Sequence, residues 1–254
     1  MLTQFHSARR RLARSQKHIQ DFVGAFRTFL DNNPPRILTE TNSEGTRRKI
    51  IIRNEPYPEI VEDFAVDAIS GLRATLDYTA YAAALALRSG SLKQTQFPFG
   101  DDHANLLSMR SRGARDLPDE IFNFFVSFEP YPGGKGEILW ALNKLRNIAE
   151  HKSVVAARPH TGNAAISAPE GIDPASIKIF DSGWDNEKHE MVLGEVGPED
   201  PNLKYNFQFT MRVVFPEGPG IADQPAGDIL EELARVIGSI IDATEIETQR
   251  LISG

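Results

Sequence analysis

The stretch that decides the fold is Glu137-Ile-Leu-Trp-Ala-Leu-Asn-Lys-Leu-Arg-Asn-Ile-Ala-Glu-His-Lys152, in which apolar and chemically active side chains separate onto two arcs of a helix. Successive residues of a helix lie about 100° apart, and the apolar arc is typical of a face that packs into a core. Its members are Ile138, Ala141, Leu142, Leu145, Ile148 and Ala149. The polar arc consists of Trp140, Asn143, Arg146, Asn147, Glu150 and His151. Because this arc combines an imidazole, a guanidinium, two amides and an indole, it indicates a functional site.

The composition excludes several classes of chemistry. The 254 residues contain no cysteine, which rules out disulfides, thiol nucleophiles, iron–sulfur clusters and thiolate zinc sites. A net charge of −7 argues against a large non-specific nucleic-acid-binding surface but leaves room for a small RNA site. No apolar run is long enough to span a bilayer, and Met1–Arg11 is not followed by the apolar segment of a secretory signal. We therefore expect a cytoplasmic protein with no membrane partner.

Helical periodicity predicts a bundle around the central stretch. Residues 3–31 place apolar side chains at alternating steps of three and four, which favours a long helix with one packed seam. Residues 59–88 are apolar almost all round, as in a helix that is buried on most sides. Residues 226–252 carry a broad apolar stripe. We expect the 137–152 helix to pack against the 59–88 helix.

Strand patterns occur on both sides of the central helix. Arg36–Thr41 and Arg48–Arg53 are β-rich runs around turn-forming residues, which predicts a hairpin. Residues 176–180, 191–193 and 205–215 have the composition and alternation of strands. They predict a small antiparallel sheet with one apolar face to be covered.

Together these patterns predict an α+β protein. A helical bundle at 1–153 would include the hairpin at about 36–53, and a β-rich antiparallel insertion would occupy 154–223. The C-terminal helix at 224–254 would either return to the bundle or cover the sheet.

The 59–88 helix carries a polar stripe that includes Asp77 and Tyr81. Arg73 is spaced to pair with Asp77 at i,i+4. This stripe either faces Arg146 and His151 across the helix interface or is satisfied by the Arg73–Asp77 pair alone. The candidate binding residues are Asn143, Glu150, Asp77, Arg73 and Tyr81.

Familiar cofactor and nucleophile motifs are absent from the sequence. There is no Gly-x-x-x-x-Gly-Lys-Ser/Thr, no Gly-x-Gly-x-x-Gly and no Gly-x-Ser-x-Gly. The six histidines show no His-x-His or His-x-x-x-His spacing. We therefore predict neither a cofactor nor a metal site.

Arg146-Asn-Ile-Ala-Glu-His151 matches Arg-x4-His late in a helix and resembles the signature of the HEPN superfamily. The resemblance implies a HEPN-like helical bundle of a prokaryotic toxin or defence protein, acting on RNA as a metal-independent endoribonuclease. It implies that Arg146, His151 and Asn147 form the catalytic site and that two copies of the motif face each other across a homodimer. A toxin would also have an antitoxin or another protein partner. The chemistry is coherent, because His accepts a 2′-OH proton near neutral pH and Arg stabilises charge on phosphate.

Over roughly residues 5–155 the chain also resembles a group of uncharacterised bacterial proteins. The segments that carry this resemblance are Gly71–Tyr81, Gln96–Phe99 and Leu139–Lys152.

Two alternatives to RNA cleavage remain. One is a non-catalytic module that uses the same polar groove to bind a nucleotide or a small anion. The other is a structural interaction protein whose 205–215 strand and surrounding sheet form the interface.

Overall fold

The computed structural model describes residues 2–42, 44–149, 155–167, 178–180, 183–185, 187–197, 206–215 and 220–254, and these form an α+β protein. The helices are α1 (His6–Asn32), α2 (Glu59–Ala86), α3 (His103–Ser108), α4 (Asp119–Val126), α5 (Glu137–Ala149) and α6 (Ala226–Ser253). The strands are β1 (Arg36–Thr41), β2 (Arg48–Arg53), β3 (Ala156–Ser167), β4 (Lys178–Ile179), β5 (Glu190–Val196) and β6 (Asn206–Val214). Short 3-10 turns precede α1 and follow α3. The predicted α+β class is confirmed.

The chain divides into two compact units, and one of them is helical. It comprises residues 1–24, 59–156 and 214–254. Within it α2 contacts α4, α5 and α6, so the predicted packing of the central helix against the 59–88 helix is confirmed. The C-terminal helix α6 was predicted either to return to the bundle or to cover the sheet, and in the structure it packs against α2 in the bundle. None of the described helices is long and apolar enough to cross a membrane.

Small residues allow α2 to lie in the middle of this bundle. The buried alanines of α2 are Ala65, Ala68, Ala80, Ala82, Ala83 and Ala84. A Cβ atom built on Gly71 would overlap Oγ of Ser15 in α1, so glycine is needed where these two helices approach. Ser15 is itself buried and donates its hydroxyl to the Arg11 carbonyl oxygen 3.1 Å away. The alanine-rich composition of α2 therefore has a packing reason.

The central helix α5 is held in the bundle by its apolar arc. Ala141, Leu142 and Leu145 are at most 1% exposed. Trp140, which the periodicity assigned to the polar arc, is only 8% exposed. The prediction for Trp140 is wrong because its indole packs inward while its N–H donates to a loop carboxylate, which a helical projection cannot anticipate.

Truncating the buried face of α5 gives the first prediction. Leu142→Ala should lower the free energy of unfolding by about 2–5 kcal/mol, because it removes apolar contacts and leaves a cavity. Leu85→Ala is the matched control, since Leu85 is a helical leucine that is 41% exposed, and it should cost less than about 1 kcal/mol. Urea unfolding followed by circular dichroism measures both changes. Equal losses in the two variants would contradict the burial of Leu142.

The second unit comprises residues 25–58 and 157–213 and contains the strands. A four-stranded sheet has the order β1-β2-β5-β4, in which every neighbouring pair is antiparallel. β3 and β6 form a separate two-stranded sheet. The four-stranded sheet has a small core of Ile50, Ile52, Met191, Leu193 and Val196, with Trp184 packed against it.

The sequence-based division differs from the structure in the position of the hairpin. It placed residues 36–53 with the helical bundle, whereas β2 pairs with β5 and the hairpin thereby shares a sheet with the insertion. The reason is the apolar run Ile50–Ile52, whose three side chains are at most 2% exposed. A strand this apolar needs a neighbouring strand on each side, and an isolated two-stranded hairpin supplies only one.

Apolar side chains in the last part of the 205–215 strand are buried. β6 pairs with β3, and Met211, Val213 and Phe215 are at most 6% exposed. The structural-interaction alternative stays a prediction. Residue 205 lies outside the described residues.

Candidate functional site

Three side chains named as binding candidates meet where α2 packs against α5. Arg73 donates its Nε–H to Oδ1 of Asn143 at 3.0 Å, across the helix interface. Its Nη1 lies 2.6 Å from Oδ2 of Asp77, one turn further along α2. The N–H directions of Nη1 do not suit a hydrogen bond, so this second contact is an ion pair held by charge. The predicted Arg73–Asp77 pair is confirmed, and Asn143 is an additional partner.

The loop between α2 and α3 completes this cluster. Oδ1 of Asp77 accepts the backbone N–H of Phe97 at 2.9 Å. The guanidinium carbon of Arg73 lies 4.4 Å from the centroid of the Phe99 ring, which is a cation–π distance. We call Arg73, Asp77, Asn143 and their contacts with Phe97 and Phe99 the Arg73 cluster. It joins two helices and a loop through one guanidinium.

A second set of bonds attaches the same loop to α5. Asp101 accepts a hydrogen bond from Nε1 of Trp140 at 2.9 Å and lies 2.7 Å from Nζ of Lys144. These two donors hold the pKa of the Asp101 carboxyl below its usual value. The carboxylate is therefore ionised and bonded to α5 at neutral pH. The position of α5 is fixed on two sides, by Arg73 at Asn143 and by Asp101 at Trp140 and Lys144.

The proposed catalytic residues lie at the end of α5. Arg146 and Asn147 are exposed in the last described turn, three and four residues after Asn143. Glu150 and His151, which complete the predicted set, lie outside the described residues. The described structure thus brings Arg73, Asp77 and Asn143 together and places Arg146 and Asn147 next along the same helix.

Tyr81 belongs to a neighbouring groove of about 360 Å³. We call it the tyrosine groove, and its lining residues are Asp77, Tyr78, Tyr81, Lys93, Thr95 and Gln96. Asp77 lines the groove and also belongs to the Arg73 cluster, so the two features adjoin.

The sequence reading missed the loop half of this region. Residues 93–101 supply Lys93, Thr95, the Phe97 amide, the Phe99 ring and Asp101, and they carry no regular period. The one signal available in the sequence is the segment Gln96–Phe99, whose two phenylalanines lie in a loop. Across the described ranges, no group of three or more His, Cys, Asp or Glu side chains is placed to hold a metal ion.

Comparisons of this chain with protein-family models, with curated proteins and with solved structures give no match. Three separate stretches of the chain meet in this site, because Arg73 and Asp77 come from α2, Phe97 and Phe99 from the loop after it and Asn143 from α5.

Proposed function

We propose that this protein is a metal-independent endoribonuclease of the HEPN type. The observation that carries the proposal is the exposure of Arg146 and Asn147 at the end of α5, whose Leu142 and Leu145 are buried in the bundle. In the sequence, His151 follows Arg146 at the Arg-x4-His spacing. An anchored helix that ends in exposed polar groups suits a large substrate such as RNA.

The chemistry of the proposed cleavage balances without a metal. His151 accepts the proton of a ribose 2′-OH, and the 2′ oxygen attacks the adjacent phosphorus. The bond from phosphorus to the 5′ oxygen breaks, and that oxygen takes a proton from water as it leaves, while His151 releases its own proton to solvent. Arg146 stabilises the charge that develops on the phosphate oxygens. The products carry a 2′,3′-cyclic phosphate and a 5′-hydroxyl, and Asn147 orients the phosphate.

The Arg73 cluster supports this proposal through positioning. Catalytic side chains must be held within about 0.5 Å of the productive geometry by surrounding packing and hydrogen bonds. Asn143 lies one turn before Arg146 and is bonded to Arg73, while Trp140 and Lys144 are bonded to Asp101. We assign Arg73 and Asn143 as positioning residues in this scheme.

The test of the proposed function uses single-stranded RNA and the purified wild-type chain. Cleavage should persist in EDTA, and a DNA strand of the same sequence should survive because it lacks the 2′-OH. The products should carry 2′,3′-cyclic phosphate or 3′-phosphate ends, which mass spectrometry identifies. Loss of activity in EDTA, or cutting of the DNA strand, would contradict the mechanism.

We further propose that the enzyme acts as a homodimer in which the Arg146 regions of two copies face each other. Sedimentation velocity should give a species of about twice the chain mass of 28.2 kDa, and cross-linking at Arg146→Cys should join two copies. A strict monomer at high concentration would contradict a composite site. In a toxin or defence role, an antitoxin or other protein partner would bind over this site.

A non-catalytic binding module is the second candidate. The observation that favours it is that Arg73, Asp77 and Asn143 have structural partners at the interface of α2 and α5, and a structural role for this cluster requires no reaction. This candidate predicts binding of a nucleotide or anion with no RNA cleavage above the level of a His151→Ala preparation.

A further inference from the structure

The tyrosine groove has the features of a preformed ligand site. Its volume of about 360 Å³ lies within the range of roughly 300–1,000 Å³ that small-molecule sites occupy. The groove lies between α2, which supplies Asp77, Tyr78 and Tyr81, and the loop that supplies Lys93, Thr95 and Gln96.

The loop wall of the groove is fixed by its backbone. Oδ2 of Asp116 accepts the backbone N–H groups of Lys93 at 3.1 Å and of Gln94 at 3.0 Å. The N–H of Gln96 donates to the Gly113 carbonyl oxygen at 2.8 Å, and the next N–H, of Phe97, donates to Asp77. Of the five backbone N–H groups from residue 93 to residue 97, four are therefore hydrogen-bonded. A ligand would not have to order the loop, which lowers the entropic cost of binding.

The charge of the groove favours an anion over a cation. Asp77 is neutralised by Arg73, and its other oxygen accepts the Phe97 amide, so this carboxylate is not free to bind a cation. The Lys93 ammonium has no carboxylate partner among the residues that the structure describes. Arg11 does not line the groove, but its guanidinium carbon lies 5.6 Å from the centroid of the Tyr78 ring and places a second positive charge near the helix wall.

The helix wall of the groove provides aromatic surface. Tyr78 and Tyr81 are 44% and 41% exposed and lie one turn apart, which places them side by side on α2. Large aromatic side chains that remain this exposed beside a cation suit a ligand that carries both a planar ring and a negative charge. Stacking on such rings tolerates any nucleobase, because every base has a π face.

We infer that the tyrosine groove binds one nucleotide, with its base against Tyr78 and Tyr81 and its phosphate at Lys93. Thr95 and Gln96 line the same groove and carry hydrogen-bonding groups for the base or the sugar. The inference goes beyond RNA cleavage and does not depend on it, because none of the groove residues belongs to the Arg146–His151 motif. The nucleotide is either free or an unpaired nucleotide of an RNA strand.

The test is calorimetric titration of the full chain with 5′-AMP, adenosine and inorganic phosphate. Lys93→Gln should weaken 5′-AMP binding about tenfold and leave adenosine binding unchanged, because only the nucleotide carries the phosphate. Tyr81→Ala should weaken both ligands about tenfold by removing the stacking ring. Lys135→Gln is the matched control, since Lys135 is an exposed lysine away from the groove, and it should bind 5′-AMP like the wild type.

Binding of a short single-stranded RNA of mixed sequence distinguishes a free nucleotide from a nucleotide of an RNA strand. RNA binding that weakens in both groove variants assigns the site to an RNA strand, and RNA binding that is unchanged while 5′-AMP binding weakens assigns it to a free nucleotide. The inference is overturned if 5′-AMP fails to bind at millimolar concentration, if phosphate alone binds as tightly, or if both variants bind 5′-AMP like the wild type. The titrations are repeated in the His151→Ala protein, where 5′-AMP binding should be unchanged. Failure of the ribonuclease proposal can then be told apart from failure of the nucleotide inference.

Discussion

Replacing His151 with alanine should abolish detectable RNA cleavage, with a loss of about 10²–10⁴-fold. Without the imidazole, no group of the Arg-x4-His motif accepts the 2′-OH proton near neutral pH, and general-base catalysis alone contributes about 10²–10⁴-fold. Initial rates on a fluorescent single-stranded RNA, measured in EDTA, give the ratio directly. Circular dichroism and the melting temperature of the variant show whether it is folded.

Arg146→Lys tests the other half of the motif. The variant keeps the positive charge but loses the planar fork that contacts two phosphate oxygens, so a severe loss of activity is expected. Asn147→Ala should weaken activity less, because orienting a phosphate is a smaller contribution than proton transfer. Arg235→Lys is the matched control on α6, where Arg235 is 68% exposed and pairs with Glu232. If His151→Ala and the wild type give the same residual rate, that activity is contamination and the binding-module candidate takes its place.

The second large effect is expected at Arg73. Arg73→Met should lower the free energy of unfolding by roughly 2–4 kcal/mol, because it leaves Asp77 and Asn143 without their shared partner at a largely buried interface. The side chain of Arg73 is 13% exposed, so water cannot replace the lost contacts fully. Arg73→Lys should lose less stability than Arg73→Met, because an ammonium can pair with Asp77 but cannot also supply the Nε–H bond to Asn143.

Two comparisons make the Arg73 prediction specific. Arg235→Met removes an arginine from an exposed helical ion pair and should cost less than about 1 kcal/mol. The double variant Arg73→Met/Asp77→Asn should be less destabilised than the sum of the single changes, because it leaves no unpaired charge. Chemical denaturation of the wild type, Arg73→Met, Asp77→Asn and the double variant gives the coupling energy between Arg73 and Asp77. Strict additivity would show that Arg73 and Asp77 do not act as a pair.

A positioning role for Arg73 has its own readout. If Arg73 and Asn143 hold α5 for catalysis, Asn143→Ala should lower kcat for RNA cleavage more than it raises KM, while the pH dependence of kcat stays unchanged because His151 remains in place. If Asn143 has a purely structural role, Asn143→Ala should lower the melting temperature but leave kcat unchanged at temperatures where the variant is folded.

The helices and the buried faces were determined by the sequence itself. The alternation of three and four in α1 predicts a seam that includes Phe5, Ile19 and Phe22, and all three side chains are at most 3% exposed. Leu142 and Leu145 of α5 are equally well predicted. Helical periodicity predicts the burial of these residues, because a continuous helix turns by a constant angle and one face packs into the core.

The Arg73–Asp77 pair was also available from sequence, because the two residues lie four apart on one helix. Its third partner could not be predicted in the same way. Whether the pair stands alone or extends to another helix depends on which residue of α5 lies opposite, and the structure places Asn143 there.

Only the tertiary structure decided the partners that lie far apart in the chain. Strand β2 pairs with β5 across more than 130 residues, and Trp140 turns inward to donate to Asp101. Neither contact has a local period, because strand partners and loop carboxylates are selected by the burial of the whole assembly rather than by neighbouring residues. The tyrosine groove has the same origin: α2 supplies its rings, a loop without repeating pattern supplies its cation, and the backbone bonds to Asp77 and Asp116 bring the two together.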